Sequence, residues 1–253
     1  MSDLVAINIR DGIAVLTMDR EGALNAMTTD LARAVVAALA EADTDDRVSG
    51  IVLTGAGRRA FCAGVDLEEA RRQEPATVES WFGTICGVYR AILNTQKPVV
   101  AAINGVAAGA GFQTALVADM RLAAPHAKLG QPEINAGIPS IMGAHWMRLH
   151  LPWSVNQELS FTGRLMDADE AAALRLVRIV PADALVDEAA ALARELGAKP
   201  ATAWARTKGR FREVALAGLD EAFRAAVLGQ QEAFARGEPQ AIMQAFLARR
   251  GKA

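Results

Sequence analysis

The sequence predicts an α/β protein whose core is followed by a purely helical C-terminal region. Short apolar or β-branched runs alternate with helical periodicities as far as Ala123, and after Pro132 the periodicity is helical alone. No Pro/Gly/Ser-rich linker and no internal repeat divides the chain, so the helical region reads as an appendage of one core.

Each element has a local reason. Leu4, Ala6 and Ile9 precede Asp11-Gly12, and Ile13, Val15 and Leu16 follow, which is the pattern of a β-hairpin. Thr28-Thr29-Asp30 caps a helix over 31–42, with Leu31, Val35, Ala38 and Leu39 at helical spacing. Val48 to Thr54 is a buried strand that runs into Gly55-Ala56-Gly57. A helix is predicted over 78–93. A strand follows over 99–103, ended by Asn104-Gly105. Gly109-Ala110-Gly111 opens a helix through Val117, and 120–123 is a further strand. Helices are predicted over 167–174, 184–196, 201–214, 220–235 and 239–249.

Composition removes several function classes. Of 253 residues 52 % are apolar and 22 % charged, so a packed core is expected. The balance of 27 basic and 29 acidic residues leaves a net charge of −2, which gives no general attraction for nucleic acid. Cys62 and Cys86 lie far apart without CxxC spacing, so reduced thiols are expected, and neither a disulfide framework nor a zinc site. His126, His145 and His150 lack ligand spacing, and no metal is expected. The first residues carry no basic segment followed by an apolar one, and no run approaches the roughly 20 apolar residues that span a bilayer. A cytoplasmic protein without membrane contact is the expectation.

Two loops are of one kind. Ala60-Phe61-Cys62-Ala63-Gly64-Val65-Asp66-Leu67 and Asn104-Gly105-Val106-Ala107-Ala108-Gly109-Ala110-Gly111-Phe112 both follow strands, and both expose backbone N–H groups through small residues. The second aims them from a helix N-terminus, the positive end of the helix dipole. Two converging N–H groups suit an oxyanion. Taken alone, such a loop is more often a packing turn or a phosphate cradle.

AFCAGVDL, KPVVAAINGVAAGAG and LGQPEINAGIP, in this order and spacing, resemble the signature segments of the crotonase superfamily, the enoyl-CoA hydratase/isomerase family. The resemblance covers nearly the whole chain. It implies a crotonase-like ββα spiral core with two roughly perpendicular sheets over 1–195, and an α-helical C-terminal region over 196–253 used in trimerisation. It also implies a homotrimer or a dimer of trimers. The substrate is expected to be an acyl-CoA thioester, with coenzyme A entering as part of it and no cofactor.

Carried over residue by residue, the resemblance makes the Val65 and Ala110 N–H groups the oxyanion donors. Ala63, Asp66, Leu67 and Gly109 become substrate contacts, and Arg59 a contact of the coenzyme A phosphates. Relatives with two catalytic glutamates hold a water between them. Here Glu133 keeps one position and Gln113 stands at the other. An amide orients water but takes up no proton near neutral pH, which leaves one base.

Hydration of an enoyl-CoA with Glu133 moving the proton, with or without retro-aldol cleavage, is therefore the leading expectation. The motif Glu133 to Pro139 resembles that of hydroxycinnamoyl-CoA hydratase-lyases. The alternatives are a Δ3,Δ2-enoyl-CoA isomerase or a non-catalytic acyl-CoA-binding protein. Outside the resemblance, Glu133 also reads as a capping carboxylate, Gln113 as a satisfied amide and Asp66 as a loop anchor. Arg58, Arg249, Arg250 and Lys252 are further candidate cations, while Gly22 and Glu68 occupy two family cation positions. Ile141 stands where dehalogenase relatives carry a nucleophilic Asp. Trp81, Phe82 and Trp146 are aromatic candidates for the acyl pocket or the core.

Overall fold

The structure, a computed structural model, describes residues 4–250. Of the C-terminal cations named above, Lys252 and the Arg250 side chain lie outside the described residues.

The chain opens with the hairpin β1 (Val5–Arg10) and β2 (Ile13–Met18), joined through Asp11 and Gly12 at φ 49° and 77°. Positive φ at both central residues gives the turn the twist that two antiparallel strands need. Helix α1 (Thr29–Thr44) follows, its first turn capped by the Thr28 side chain, which accepts from the Leu31 N–H at 3.1 Å.

Three successive turns of one spiral then build the core. The first is β3 (Gly50–Gly55), β4 (Ala60–Cys62), the short α2 (Leu67–Ala70) and α3 (Val78–Asn94). The second is β5 (Val99–Ile103), β6 (Val106–Ala108) and α4 (Ala110–Val117). The third is β7 (Met120–Ala123) and β8 (Lys128–Gly130), then a 3-10 turn (Pro132–Ala136), α5 (Ile141–Met147) and α6 (Trp153–Thr162).

In each turn the first strand joins a large sheet and the second joins a small one. The large sheet has the order β1-β2-β3-β5-β7-β10, and the small one β4-β6-β8-β9. The last strands arrive with β9 (Leu165–Asp167), α7 (Ala168–Ala173) and β10 (Arg178–Ile179). Within the spiral every strand pair is parallel, whereas β1/β2 and β8/β9 are antiparallel.

The large sheet is buried on both faces, which explains its continuous apolar runs. Ile51, Leu53, Val99, Ala101 and Ile103 face the main core, which includes Leu31, Val35 and Leu39 of α1. Val52, Val100, Ala102 and Leu122 face the opposite way. They meet Leu185, Ala189 and Ala193 of α8 (Leu185–Gly197). Helices α9 (Ala201–Leu216), α10 (Leu219–Ala235) and α11 (Glu238–Arg250) complete the C-terminal region.

The sequence-based expectation differs from the structure in one systematic way. Residues 60–62, 106–108 and 128–130 form strands where loops or nothing regular were expected, and β9 and β10 interrupt the stretch read as wholly helical. These strands have two or three residues, too few to display a period of two, and their Ala- and Gly-rich composition carries little β-propensity. Parallel partners hold all of them but β9, which pairs antiparallel with β8.

Candidate active site

The small sheet places the site. β4, β6 and β8 run parallel, so their C-terminal ends lie side by side. Those ends continue into Gly64-Val65, Gly109-Ala110 and Gln131-Pro132-Glu133. Three segments far apart in sequence therefore leave the sheet at one edge, as ligand sites of parallel sheets commonly do.

Two glycines shape this edge. Gly64 has φ 106° and Gly109 φ 51° with ψ −122°, backbone states that an L side chain rarely adopts. A Cβ at Gly109 would also stand 3.1 Å from Glu133 Oε1. The following N–H groups are left without protein acceptors: among the described residues, neither the Val65 nor the Ala110 amide donates to any carbonyl or side chain. Ala110 is the first residue of α4, so its N–H also carries the positive end of a buried helix.

Glu133 stands on the 3-10 turn that Pro132 begins. Gln113, one turn into α4, donates from Nε2 to Glu133 Oε1 at 2.8 Å. Gln131 is fully buried, and with its amide nitrogen toward the carboxyl it donates to Oε2 at 2.5 Å and Oε1 at 2.6 Å. The Ser140 hydroxyl lies 3.5 Å from Oε2. Although Glu133 keeps some accessible surface, protein surrounds its carboxyl, and this desolvation pushes its pKa up to about 7. The hydrogen bonds from Gln113 and Ser140 oppose the rise. The result is a carboxyl able to give or take a proton near neutrality.

A cavity of about 30 Å³ joins these groups. That is room for one or two water molecules. Val65, Ala110, Gln113 and Glu133 all line it, with Trp81 and Tyr89 of α3 on the facing wall. The structure thus brings together the four residues that the motifs nominated. Phe82 lines it too, whereas Trp146 lies behind, its ring 5.9 Å from that of Tyr89 and nearly perpendicular to it.

Other nominated residues hold the frame. Asp66 caps α2, accepting from the Glu68 and Glu69 N–H groups at 3.0 and 3.1 Å, and pairs with Arg20 at 3.0 Å. Leu67 is the partly buried first residue of that helix, and the Ala63 N–H donates to Leu24 O at 3.1 Å. Arg59 precedes β4, at the opposite end of that strand from Val65, and its guanidinium donates to Glu21 O at 3.1 Å. Arg249 donates to Ala245 O at 3.3 Å within α11.

Sequence reasoning missed Gln131, Tyr89, Ser140 and Gln230. Gln131 stood inside the matched GQPE segment and carried a signal. Tyr89 and Gln230 carried none, because they reach the cavity only through the packing of α3 and α10.

Comparison with known proteins identifies the fold and the family. An enoyl-CoA hydratase/isomerase from Xanthobacter autotrophicus Py2 superposes with a TM-score of 0.85 at 25 % identity, over 99 % of this chain and 94 % of that one. The architecture is therefore the crotonase fold, a scaffold of acyl-CoA enzymes. The sequence profile for Enoyl-CoA hydratase/isomerase matches residues 8–252. A short-chain-enoyl-CoA hydratase from Clostridium acetobutylicum is 32 % identical over 94 % of this chain and 92 % of its own. A carboxymethylproline synthase from Pectobacterium carotovorum is 35 % identical over 78 % of this chain and 80 % of its own. The chain belongs to the enoyl-CoA hydratase/isomerase family, and it is an enzyme of that type acting on acyl-CoA thioesters.

Proposed function

We propose that this enzyme hydrates an enoyl-CoA through a thioester enolate, with Glu133 as its single proton-transfer group. The observation that carries the reading is the meeting, on one cavity, of two backbone N–H groups without acceptors and one carboxyl with a pKa near neutrality. Val65 and Ala110 would take the thioester oxygen as negative charge builds on it, each donor contributing about 3–4 kcal/mol. Glu133 would accept a proton from water as its oxygen adds to C3, and would return that proton to C2 as the enolate collapses, which completes the addition and restores the carboxylate. Gln113 and Gln131 would hold the carboxylate in place, and Gln113 would help to seat the water. Neither a metal nor a redox cofactor enters this reading.

Glu133→Gln tests it: turnover is expected to disappear while acyl-CoA affinity survives. If the wild type turns over no enoyl-CoA at all, the protein is a binder and the reading fails.

The absence of a second carboxylate supports one alternative, double-bond isomerisation by Glu133 alone. Absorbance separates the two, because hydration erases the enoyl-thioester band, whereas isomerisation of a 3-enoyl-CoA creates it. The synthase named among the relatives adds a third outcome to look for by mass, an enolate captured by a new electrophile.

We further propose a homotrimer, or a dimer of trimers, assembled through residues 196–253. In support, α9 has no buried residue, and Phe211 and Leu228 are 73 % and 66 % exposed. A cytoplasmic setting fits the buried free thiols Cys62 and Cys86, the first pushed up to about 11 by burial. No helix among the described residues is long and apolar enough to cross a membrane.

A further inference from the structure

Four buried polar atoms without a partner belong to residues that line the active-site cavity. They are Trp81 Nε1, Tyr89 Oη, Gln113 Oε1 and Gln230 Oε1, each buried, on residues that are 5 %, 1 %, 4 % and 2 % exposed. A buried donor or acceptor without a partner is costly, and native proteins keep few of them. Four of the seven such atoms among the described residues belong to residues that line this one small cavity. Plain core packing does not explain that clustering. A pocket for a purely alkyl chain would be lined by groups that need nothing, as Ile138 and Met142 do on the same wall.

The set also has a composition. Trp81 offers an N–H, Tyr89 an O–H that donates and accepts, and the two glutamines offer carbonyl oxygens. No Lys or Arg lines the cavity, and Glu133 does, so an anionic group would enter without a counter-charge and beside a carboxylate. The matching chemistry is an uncharged group that both donates and accepts. Gln113, next to Glu133, is used by the water of the reaction, which leaves Trp81, Tyr89 and Gln230 on α3 and α10 for a second polar group. A cavity of about 30 Å³ leaves room for one water-sized group beyond the reacting water, which matches a hydroxyl.

We propose that the preferred acyl group carries an uncharged hydroxyl beyond C3, held by Trp81, Tyr89 and Gln230. This rests on the enoyl-CoA reading above and narrows it to a substrate class.

The test compares 4-hydroxybut-2-enoyl-CoA with but-2-enoyl-CoA, which differ by one oxygen. The wild type is expected to show kcat/KM at least tenfold higher for the hydroxylated thioester. Gln230→Leu and, separately, Trp81→Phe should bring that ratio to within about threefold of one. Because both thioesters are compared in one preparation, a variant that folds poorly lowers both values and leaves the ratio readable. Binding of the same pair to the Glu133→Gln protein, measured by titration calorimetry, gives a second ratio that needs no turnover. Equal rates and equal affinities, or a preference for but-2-enoyl-CoA, would overturn the proposal. Absent turnover with a preserved tenfold binding preference would sink the hydration reading alone and leave the hydroxyl site standing. Failure of either thioester to bind would remove both.

Discussion

The raised pKa of Glu133 has a consequence for stability that can be measured apart from any substrate. Burial moves the group from an ordinary value of 4.5 to about 7. A carboxyl held above its unfolded value binds its proton more tightly in the folded state, so folding loses stability as pH rises. The cost is absent below about 4.5, grows through the window up to about 7, and is complete above it. At 1.36 kcal/mol per pH unit the full cost is roughly 3 kcal/mol, and the residual solvent access of the side chain reduces it to about 2 kcal/mol. Glu133→Gln removes the charge while keeping the size. The stability of the variant relative to the wild type should therefore improve by about 2 kcal/mol between pH 4 and pH 8. Urea unfolding of both proteins at the two pH values reads this directly. Contributions from every other titrating group cancel in the comparison, and so does any pH-independent cost of the new amide. A difference that is the same at both pH values would mean that the Glu133 carboxyl is not desolvated as described.

Three further outcomes follow from the same geometry. Gln131→Leu removes a donor to both Glu133 oxygens, so the ascending limb of the kcat/KM profile, expected near pH 7 in the wild type, should move up by about one pH unit. A merely structural role would lower the profile without moving it. Gly109→Ala forces a side chain into φ 51° and sets a Cβ 3.1 Å from Glu133 Oε1, and kcat/KM should fall about 10–100-fold with the fold retained by circular dichroism. Gln113→Glu supplies the second carboxylate and should raise but-2-enoyl-CoA hydration. Rapid hydration by the wild type with no gain in the variant would refute the role given to Gln113.

Tyr89 and Gln230 illustrate why part of the site was hidden. Each lies on an amphipathic helix at a position that suits a core residue, and only the packing of α3 and α10 brings them to the cavity that Glu133 lines. Gln131 is the converse case. It stood in a matched motif, but its amide was given no task until the backbone of α5 was seen to close on it: a Cβ at Gly143 would lie 2.4 Å from the Gln131 amide carbon. Asp66 likewise lies in a motif, and its contacts place it in the frame of the loop.

The sequence by itself determined the long elements, the two glycine-flanked turns and the identity of the one available base. These depend on local spacing, capping and backbone conformation, which neighbouring residues dictate. Tertiary structure alone decided that the ends of three very short strands lie side by side, that Glu133 is desolvated, and that four residues bearing an unpartnered polar atom line one cavity. Each of these depends on which surfaces meet after the chain has wound three times, and strands of three residues acquire their place only from the partners beside them.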